Sequence, residues 1–128
     1  YSSSSAGGGY AALRWNWAAL GVHAVIQGHA HGLERIYKDG LYFFTCAMGG
    51  DGHHGWGTAL AETKWRETNT SLSGYLKISD SPGDLQFEFY DTGNNRLDAC
   101  RIAVQPDGPE FLPVTSASGF SPFHGFGR

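Results

Sequence analysis

The sequence is poor in cysteine, in net charge and in long apolar stretches, and each shortage excludes a class of protein. Two cysteines among 128 residues are too few for a disulfide-stabilised scaffold. A net charge of −3 provides no basic surface for nucleic acid, so we expect no nucleic-acid partner. No apolar run reaches the roughly 20 residues that a membrane-spanning helix needs, so we expect no membrane span.

The apolar content is nevertheless high enough for a folded domain. Hydrophobic residues make up 41% of the chain, which argues against disorder. Glycine is abundant, with 19 residues, and predicts many loops. Cys46 and Cys100 lie in apolar, strand-like segments. They could form one disulfide or remain two buried thiols, and free thiols are the commoner state.

An αβ unit is predicted near the start of the chain. The spacing of apolar residues by three and four positions predicts a helix over 10–20. Its apolar face would consist of Tyr10, Leu13, Trp17 and Leu20. Gly21 fits the end of that helix, and residues 22–27 predict a buried strand. A helix, a glycine turn and a buried strand together indicate an α/β layer.

The rest of the chain predicts mostly antiparallel strands. Asp39-Gly40 separates strand-like segments at 34–38 and 41–50, as in a hairpin with a type I′ turn. Residues 51–72 predict loops with a short helical turn near 62–67. Three further strands are predicted, at 73–79, 85–91 and 96–104, joined by turn sequences into a meander. Residues 105–128, rich in proline, glycine and phenylalanine, predict an irregular tail.

The segment Gly28-His29-Ala30-His31 is the first candidate for chemistry. It follows a predicted buried strand, and the carboxyl ends of such strands are where α/β sheets place ligands. Imidazole binds zinc, iron and manganese. Two histidines alone are too few, because a structural zinc site has four protein ligands and a catalytic site three. The pair by itself is therefore a weak motif.

The longer stretch GVHAVIQGHAHGLERIYKDGLYFFTCAMGGDG resembles the C-terminal part of the calcineurin-like metallophosphoesterases, particularly the purple-acid-phosphatase-like branch. Gly28-His29-Ala30-His31 matches the Gly-His-x-His motif of that family. Leu33-Glu34-Arg35 matches its Tyr-Glu-Arg, with leucine in place of tyrosine, and a Gly-Gly loop follows the next strand. The resemblance implies that residues 1–104 are the C-terminal portion of a four-layer sandwich, with 105–128 as a tail. The fold class expected is α/β, and α+β within this fragment: one αβ unit, then a mostly antiparallel meander.

The resemblance implies a metal-dependent hydrolase of phosphate mono- or diesters. His29 would bind one metal of a two-metal centre and His31 the other, and a metal-activated water would attack phosphorus. The metals would be divalent or trivalent ions of iron, zinc or manganese. The residues that would support the ligand loop are Gly28, Glu34 and Arg35. His53 and His54, after the Gly-Gly loop, are candidates for the substrate side of the site, with an ordinary surface loop as the alternative.

Four earlier blocks of the family pattern are missing from this sequence: Asp-x-His, Gly-Asp-x-x-Asp, Gly-Asn-His-Asp/Glu and a lone histidine. We therefore expect this chain alone to be inactive and to hold no metal tightly. A missing N-terminal part, a partner chain or self-association would have to complete the site. Many relatives are secreted, so the resemblance alone favours an extracellular or periplasmic location.

Two other functions remain open from the sequence. The chain could be a structural, self-assembling or partner-binding β-rich protein without a complete metal site. It could also be a β-sandwich binding module with the glycine-rich loop 51–57 as its ligand loop. Metal content distinguishes these two hypotheses from the phosphoesterase hypothesis, because a complete phosphoesterase centre holds two metal ions.

Overall fold

A computed structural model describes residues 1–4 and 11–104, and strands dominate this part of the chain. The seven strands are β1 (Ala24–Gln27), β2 (Leu33–Lys38), β3 (Leu41–Cys46), β4 (Thr63–Arg66), β5 (Gly74–Ser81), β6 (Asp84–Asp91) and β7 (Arg96–Ala103). They form a four-stranded sheet in the order β1-β3-β2-β4 and a three-stranded sheet in the order β5-β6-β7. The fold is thus mixed α+β and mostly strands. The predicted tail at 105–128 lies outside the described residues.

The helix predicted over 10–20 is wrong. Residues 11–20 contain two short 3₁₀ helices, Ala11–Leu13 and Ala18–Leu20, while Tyr10 lies outside the described residues. Leu13 and Leu20 are 61% and 63% exposed, so this segment buries no continuous apolar face. The side chain of Asn16 accepts a hydrogen bond from the backbone of Ala19, which starts a new turn where an α-helix would have continued. Such a short helix needs packing to be stable.

The end of that segment and the strand after it follow the sequence more closely. Gly21 ends the second 3₁₀ helix with a φ of 74°, as its position predicts. The strand predicted at 22–27 is β1, which runs parallel to β3 from Ala24 opposite Tyr42 to Gln27 opposite Thr45. β1 is less buried than predicted, because it lies at the edge of its sheet within the described residues.

The hairpin prediction is confirmed. β2 and β3 pair antiparallel from Leu33 opposite Cys46 to Lys38 opposite Leu41. Asp39 and Gly40 connect them with φ values of 52° and 82°, and two positive φ angles are what a type I′ turn requires. The turn twists the two strands in the same sense as the sheet, so this local signal sets their register.

The helical turn predicted near 62–67 is wrong, because residues Thr63–Arg66 form β4. β4 pairs antiparallel with β2, with Arg66 opposite Glu34 and a register shift at Arg35 and Ile36. Branched and aromatic side chains favour strands, and the outer edge of β2 offers backbone partners that a single turn of helix would lack.

The three-stranded meander is confirmed, and it packs on one face of the first sheet. The core between the two sheets consists of Leu33, Phe44, Met48, Phe87 and Phe89. On the opposite face of the first sheet, Ile36, Leu41 and Phe43 pack under Trp17 and Val22. The first sheet is therefore covered on both faces. No helix in the described part is long and apolar enough to cross a membrane.

The two cysteines are free thiols. Cys46 and Cys100 belong to different sheets, and both are partly buried against the core between them. Burial raises the pKa of the Cys46 thiol, since a thiolate there would lose hydration. The residues thus act as small apolar side chains, the commoner of the two states that the sequence left open.

Three carboxylates have pKa values lowered by hydrogen bonds to their charged forms. The pairs are Glu62 with Lys38, Glu88 with Arg96 and Asp91 with Asn95. The sequence suggests that Glu88 and Asp91 face solvent, but they are only 5% and 9% exposed. That expectation is wrong because these short contacts enclose both side chains.

We expect acid to destabilise the protein through these groups. Their folded-state pKa values lie below the unfolded values, so the stabilisation is complete above the unfolded pKa. It is lost as pH falls through the folded values, in a window that begins near pH 4.5 and extends lower. Urea midpoints between pH 7 and pH 3 measure the loss, and Asp91→Asn should make the curve shallower. An identical pH dependence in that variant would show that Asp91 contributes nothing to it.

Candidate metal and substrate site

Two histidine-bearing loops meet at one edge of the first sheet. Residues 28–32 follow β1 and residues 47–56 follow β3. Because β1 and β3 are parallel, their carboxyl ends lie at the same edge, which is where α/β sheets bind ligands. The fold thereby brings together histidines that lie more than twenty positions apart in the sequence.

His29 is exposed and adopts a left-handed backbone conformation, with a φ of 70°. This conformation costs a residue with a Cβ about 1 kcal/mol or more. The next residue, Ala30, is 3% exposed and anchors the loop in the protein. The His29 ring meets the His54 ring edge-on, with 6.3 Å between centroids. The loop thus holds His29 at the surface in a strained backbone conformation, next to the buried side chain of Ala30.

His31 and His54 form the closest contact of the site. Their rings stack with centroids 4.0 Å apart and planes 5° apart. The backbone N–H of His31 donates to Nδ1 of His54 over 3.1 Å, and the backbone N–H of His54 donates to the carbonyl of His31. These reciprocal bonds join the loop after β1 to the loop after β3.

The imidazole of His31 is oriented by the backbone of the second loop. Its Nδ1 lies 2.6 Å from the carbonyl oxygen of Gly52. A carbonyl oxygen can only accept, so Nδ1 carries the hydrogen and the lone pair of the neutral ring is on Nε2. Metal-binding histidines are commonly held in this way by a carbonyl or carboxylate. The sequence could not reveal Gly52 as the partner, because a backbone carbonyl leaves no side-chain signal.

Two other candidates, His53 and Gly28, are held by fewer contacts than His31 and His54. His53 is half-buried, and its ring makes no hydrogen bond to another residue in the described ranges. The carbonyl of Gly28 accepts a hydrogen bond from the backbone of Ala30. A Cβ at Gly28 would meet no atom within 4 Å, so neither space nor a positive φ demands glycine there.

Glu34 lies at the centre of a hydrogen-bond cluster beside the site. Its side chain is fully buried and accepts four hydrogen bonds. The donors are the Ser2 hydroxyl, the backbone N–H and hydroxyl of Ser3, and the Thr63 hydroxyl. Glu34 therefore ties the first residues of the chain and β4 to β2. Its support of the histidine loop runs through the position of β2, not through a hydrogen bond to residues 28–32.

Arg35 connects the two sheets. Its guanidinium makes two hydrogen bonds to the carboxylate of Asp98 in β7, at 2.7 and 2.9 Å. Asp98 also raises the pKa of Arg35, so the pair stays charged. Arg35 holds β2 against the meander, and its charge is engaged there and not at the histidine loop.

These residues offer imidazole ligands but not a complete metal centre. Within 1–4 and 11–104, no three His, Cys, Asp or Glu side chains converge so that they could hold a metal ion. His29 and His31 fit two ligand positions by their chemistry, and the orientation of His31 fits such a role. The other ligands of a two-metal centre would have to come from outside this part of the chain.

Trp56, in the loop that follows β3, packs against Gly32 in the loop that follows β1, a contact for which the sequence held no signal. Its ring lies over Gly32, where an added Cβ would come within 2.7 Å of the ring carbons. Its indole N–H donates to the carbonyl of Glu67, and the guanidinium of Arg66 lies 5.4 Å above the ring. Gly32 is thus required by the close approach of Trp56.

We expect Gly32→Ala to displace Trp56 and destabilise the protein by about 1–3 kcal/mol, the usual cost of overpacking. Urea unfolding measures this cost, and the indole N–H resonance of Trp56 reports the displacement. Gly28→Ala is the matched control, since its methyl group enters open space. Equal stability of the two variants would contradict the packing role assigned to Gly32.

Comparison with known proteins adds no relative to this description. The chain matches no family model and no curated protein sequence.

Proposed function

We propose that this chain forms the C-terminal part of a metal-dependent phosphoesterase that hydrolyses phosphate mono- or diesters. The whole domain would be a four-layer sandwich of the calcineurin-like, purple-acid-phosphatase-like kind, to which these residues contribute two sheets. His29 and His31 would bind the two metals. The other ligands would come from a preceding part of the protein or from a partner chain.

The observation that carries this proposal is the meeting of the two histidine loops at the carboxyl ends of parallel strands. The rings of His31 and His54 stack there, and the ring of His29 lies beside that of His54, because β1 and β3 point the same way. Packing of the core does not require imidazole side chains at the protein surface, whereas a site that binds a metal and an anionic ester does.

Two local features support the assignment of ligands. His31 presents Nε2 with a lone pair because Gly52 engages its Nδ1. His29 occupies a backbone conformation in which glycine would be unstrained, and strain of this kind concentrates at functional sites. A histidine kept there at a cost is consistent with a role for its side chain.

The protein residues and the metals would divide the work. Bound metals would supply a hydroxide nucleophile and neutralise charge on the phosphoryl oxygens. His29 and His31 would hold the ions, and the glycines of the loop that follows β3 would leave room for an ester beside the histidines. Glu34 and Arg35 would keep β2, and so the loop before it, in place.

The test uses the full-length natural protein, its metal content by mass spectrometry and its hydrolysis of nitrophenyl phosphate mono- and diesters. We expect two metal ions per chain. His29→Ala and His31→Ala should each lower metal content and reduce hydrolysis by about 100-fold, at least the loss seen when residues behind a ligand are removed. His23→Ala is the control, because His23 lies before β1, at the opposite end of that strand from the loop 28–32. Protein that takes up neither iron, zinc nor manganese and hydrolyses neither ester would refute the proposal.

One observation favours a second candidate, a partner-binding or self-assembling protein. Leu13, Trp15, Leu20 and Ile26 are each more than half exposed, and Ile26 belongs to edge strand β1. Exposed apolar side chains beside a strand edge that pairs with no other strand among residues 1–4 and 11–104 are typical of an interface. Sedimentation of the full-length protein distinguishes the two: a stable oligomer without metal supports this candidate, and a metal-containing monomer supports the first.

A further inference from the structure

The stacked rings of His31 and His54 have δ nitrogens with opposite partners. Nδ1 of His54 receives the backbone N–H of His31, whereas Nδ1 of His31 faces the carbonyl oxygen of Gly52. A backbone N–H can only donate and a carbonyl oxygen can only accept. In the neutral rings, Nε2 of His31 therefore has the lone pair, and Nε2 of His54 carries the hydrogen.

We propose, on the basis of the function proposed above, that His54 donates a hydrogen bond from Nε2–H to a phosphoryl oxygen of the bound ester. The His54 ring lies 4.0 Å from the ring of His31 and 6.3 Å from that of His29, so it adjoins both metal-binding residues. No described residue hydrogen-bonds to its Nε2. The site thus offers a lone pair to a cation from one ring and an N–H to an anion from the ring stacked on it.

This role separates His54 from the other histidines of the site. A third metal ligand at this position would need a lone pair on Nε2, which the hydrogen bond from His31 to Nδ1 disfavours. His53 has no hydrogen bond within the described ranges that would orient its ring. The backbone of His31 is a positioning group here, since it acts on the ester through the ring of His54.

The loss of a hydrogen bond to a charged phosphate should weaken its binding by about 10- to 100-fold. The full-length protein is first loaded with Zn²⁺, which is diamagnetic and so compatible with NMR. Inorganic phosphate is then titrated into the zinc-loaded protein, and its affinity is measured by calorimetry. In His54→Asn, the amide oxygen can still accept the N–H of His31, but no donor remains at the ε position. His54→Gln places an amide N–H near that position. We expect the asparagine variant to bind phosphate 10- to 100-fold more weakly and the glutamine variant to recover most of the affinity.

A second readout is independent of phosphate and of activity. Long-range ¹H–¹⁵N spectra of ¹⁵N-histidine-labelled protein should show hydrogen on Nε2 of His54 and on Nδ1 of His31. His23→Asn is the control in both measurements and should leave phosphate affinity, zinc content and both tautomers unchanged.

Each other outcome has one meaning. Zinc loss in His54→Asn would make His54 a metal ligand and overturn the inference. Hydrogen on Nδ1 of His54 in the unsubstituted protein would also overturn it. Unchanged phosphate affinity in His54→Asn, or a loss in His53→Asn instead, would overturn it while the phosphoesterase proposal stands. Failure of the unsubstituted protein to bind zinc and phosphate would refute the proposed function, and the inference with it.

Discussion

Phe44→Ala is expected to lower the free energy of unfolding by about 3–5 kcal/mol, the range for removing a buried phenylalanine side chain. Phe44 is 1% exposed and lies between the two sheets. Its ring stacks on Phe87 in β6, with centroids 4.3 Å apart and planes 9° apart. Removing it leaves a cavity at the centre of the contact between the sheets, which neither sheet can close by itself.

Urea unfolding followed by circular dichroism measures this loss. Phe44→Leu keeps most of the volume and should cost less than about 1.5 kcal/mol, which preserves a folded variant for comparison. Ile78→Ala is the surface control, since Ile78 is 45% exposed on β5, and should cost less than about 1 kcal/mol. A loss under about 1 kcal/mol for Phe44→Ala would mean that the two sheets are not held together through this residue.

Glu34→Ala should destabilise the protein by about 4 kcal/mol or more, because it removes four hydrogen bonds to a fully buried side chain. Each bond contributes about 1 kcal/mol net, and the buried donors left behind add a desolvation cost. The shortest of the four joins the Ser3 hydroxyl to Glu34 at 2.5 Å. Since the bond from Thr63 also holds β4, we expect the outer edge of β2 to loosen as well.

Amide hydrogen exchange distinguishes local loosening from global unfolding. In Glu34→Ala, the amides of β4 should exchange faster than those of the β5-β6-β7 meander. Glu67→Ala is the matched control, because that carboxylate is half-buried and bonds locally to the backbone of Asn69. It should cost less than about 1 kcal/mol. If Glu34→Ala proved as mild as Glu67→Ala, water would have replaced the lost partner.

The elements that the sequence predicted well are those whose signals are local. Asp39-Gly40 provides both positive φ angles of the hairpin turn, so β2 and β3 could be located and their register inferred. Phe87 and Phe89 alternate with polar residues, and both are buried against the first sheet. A turn residue and an alternation of apolar and polar residues act over only a few positions. They therefore predict structure without knowledge of which residues are neighbours in space.

The predictions that failed depended on packing. The helical spacing over 10–20 gave no helix, because Leu13 and Leu20 have no surface to cover within the described residues. Thr63–Arg66 became a strand because β2 offered an open edge. Glu88 faces away from the apolar core, yet contacts with Arg96 and Lys77 enclose it. All of these partners lie on other strands, so their positions depend on how the strands pair.

The sequence by itself determined the residue types of the site, a Gly-His-x-His segment after a strand and a second histidine pair in a glycine-rich loop. Only the tertiary structure decided that the two segments meet, because the meeting requires β1 to pair parallel with β3 and not with β2, which follows β1 in sequence but lies on the other side of β3 in the sheet. It also decided the chemistry of each ring. The Gly52 carbonyl and the His31 N–H fix where each hydrogen lies, and backbone groups of this kind are identical in every sequence until the fold places them.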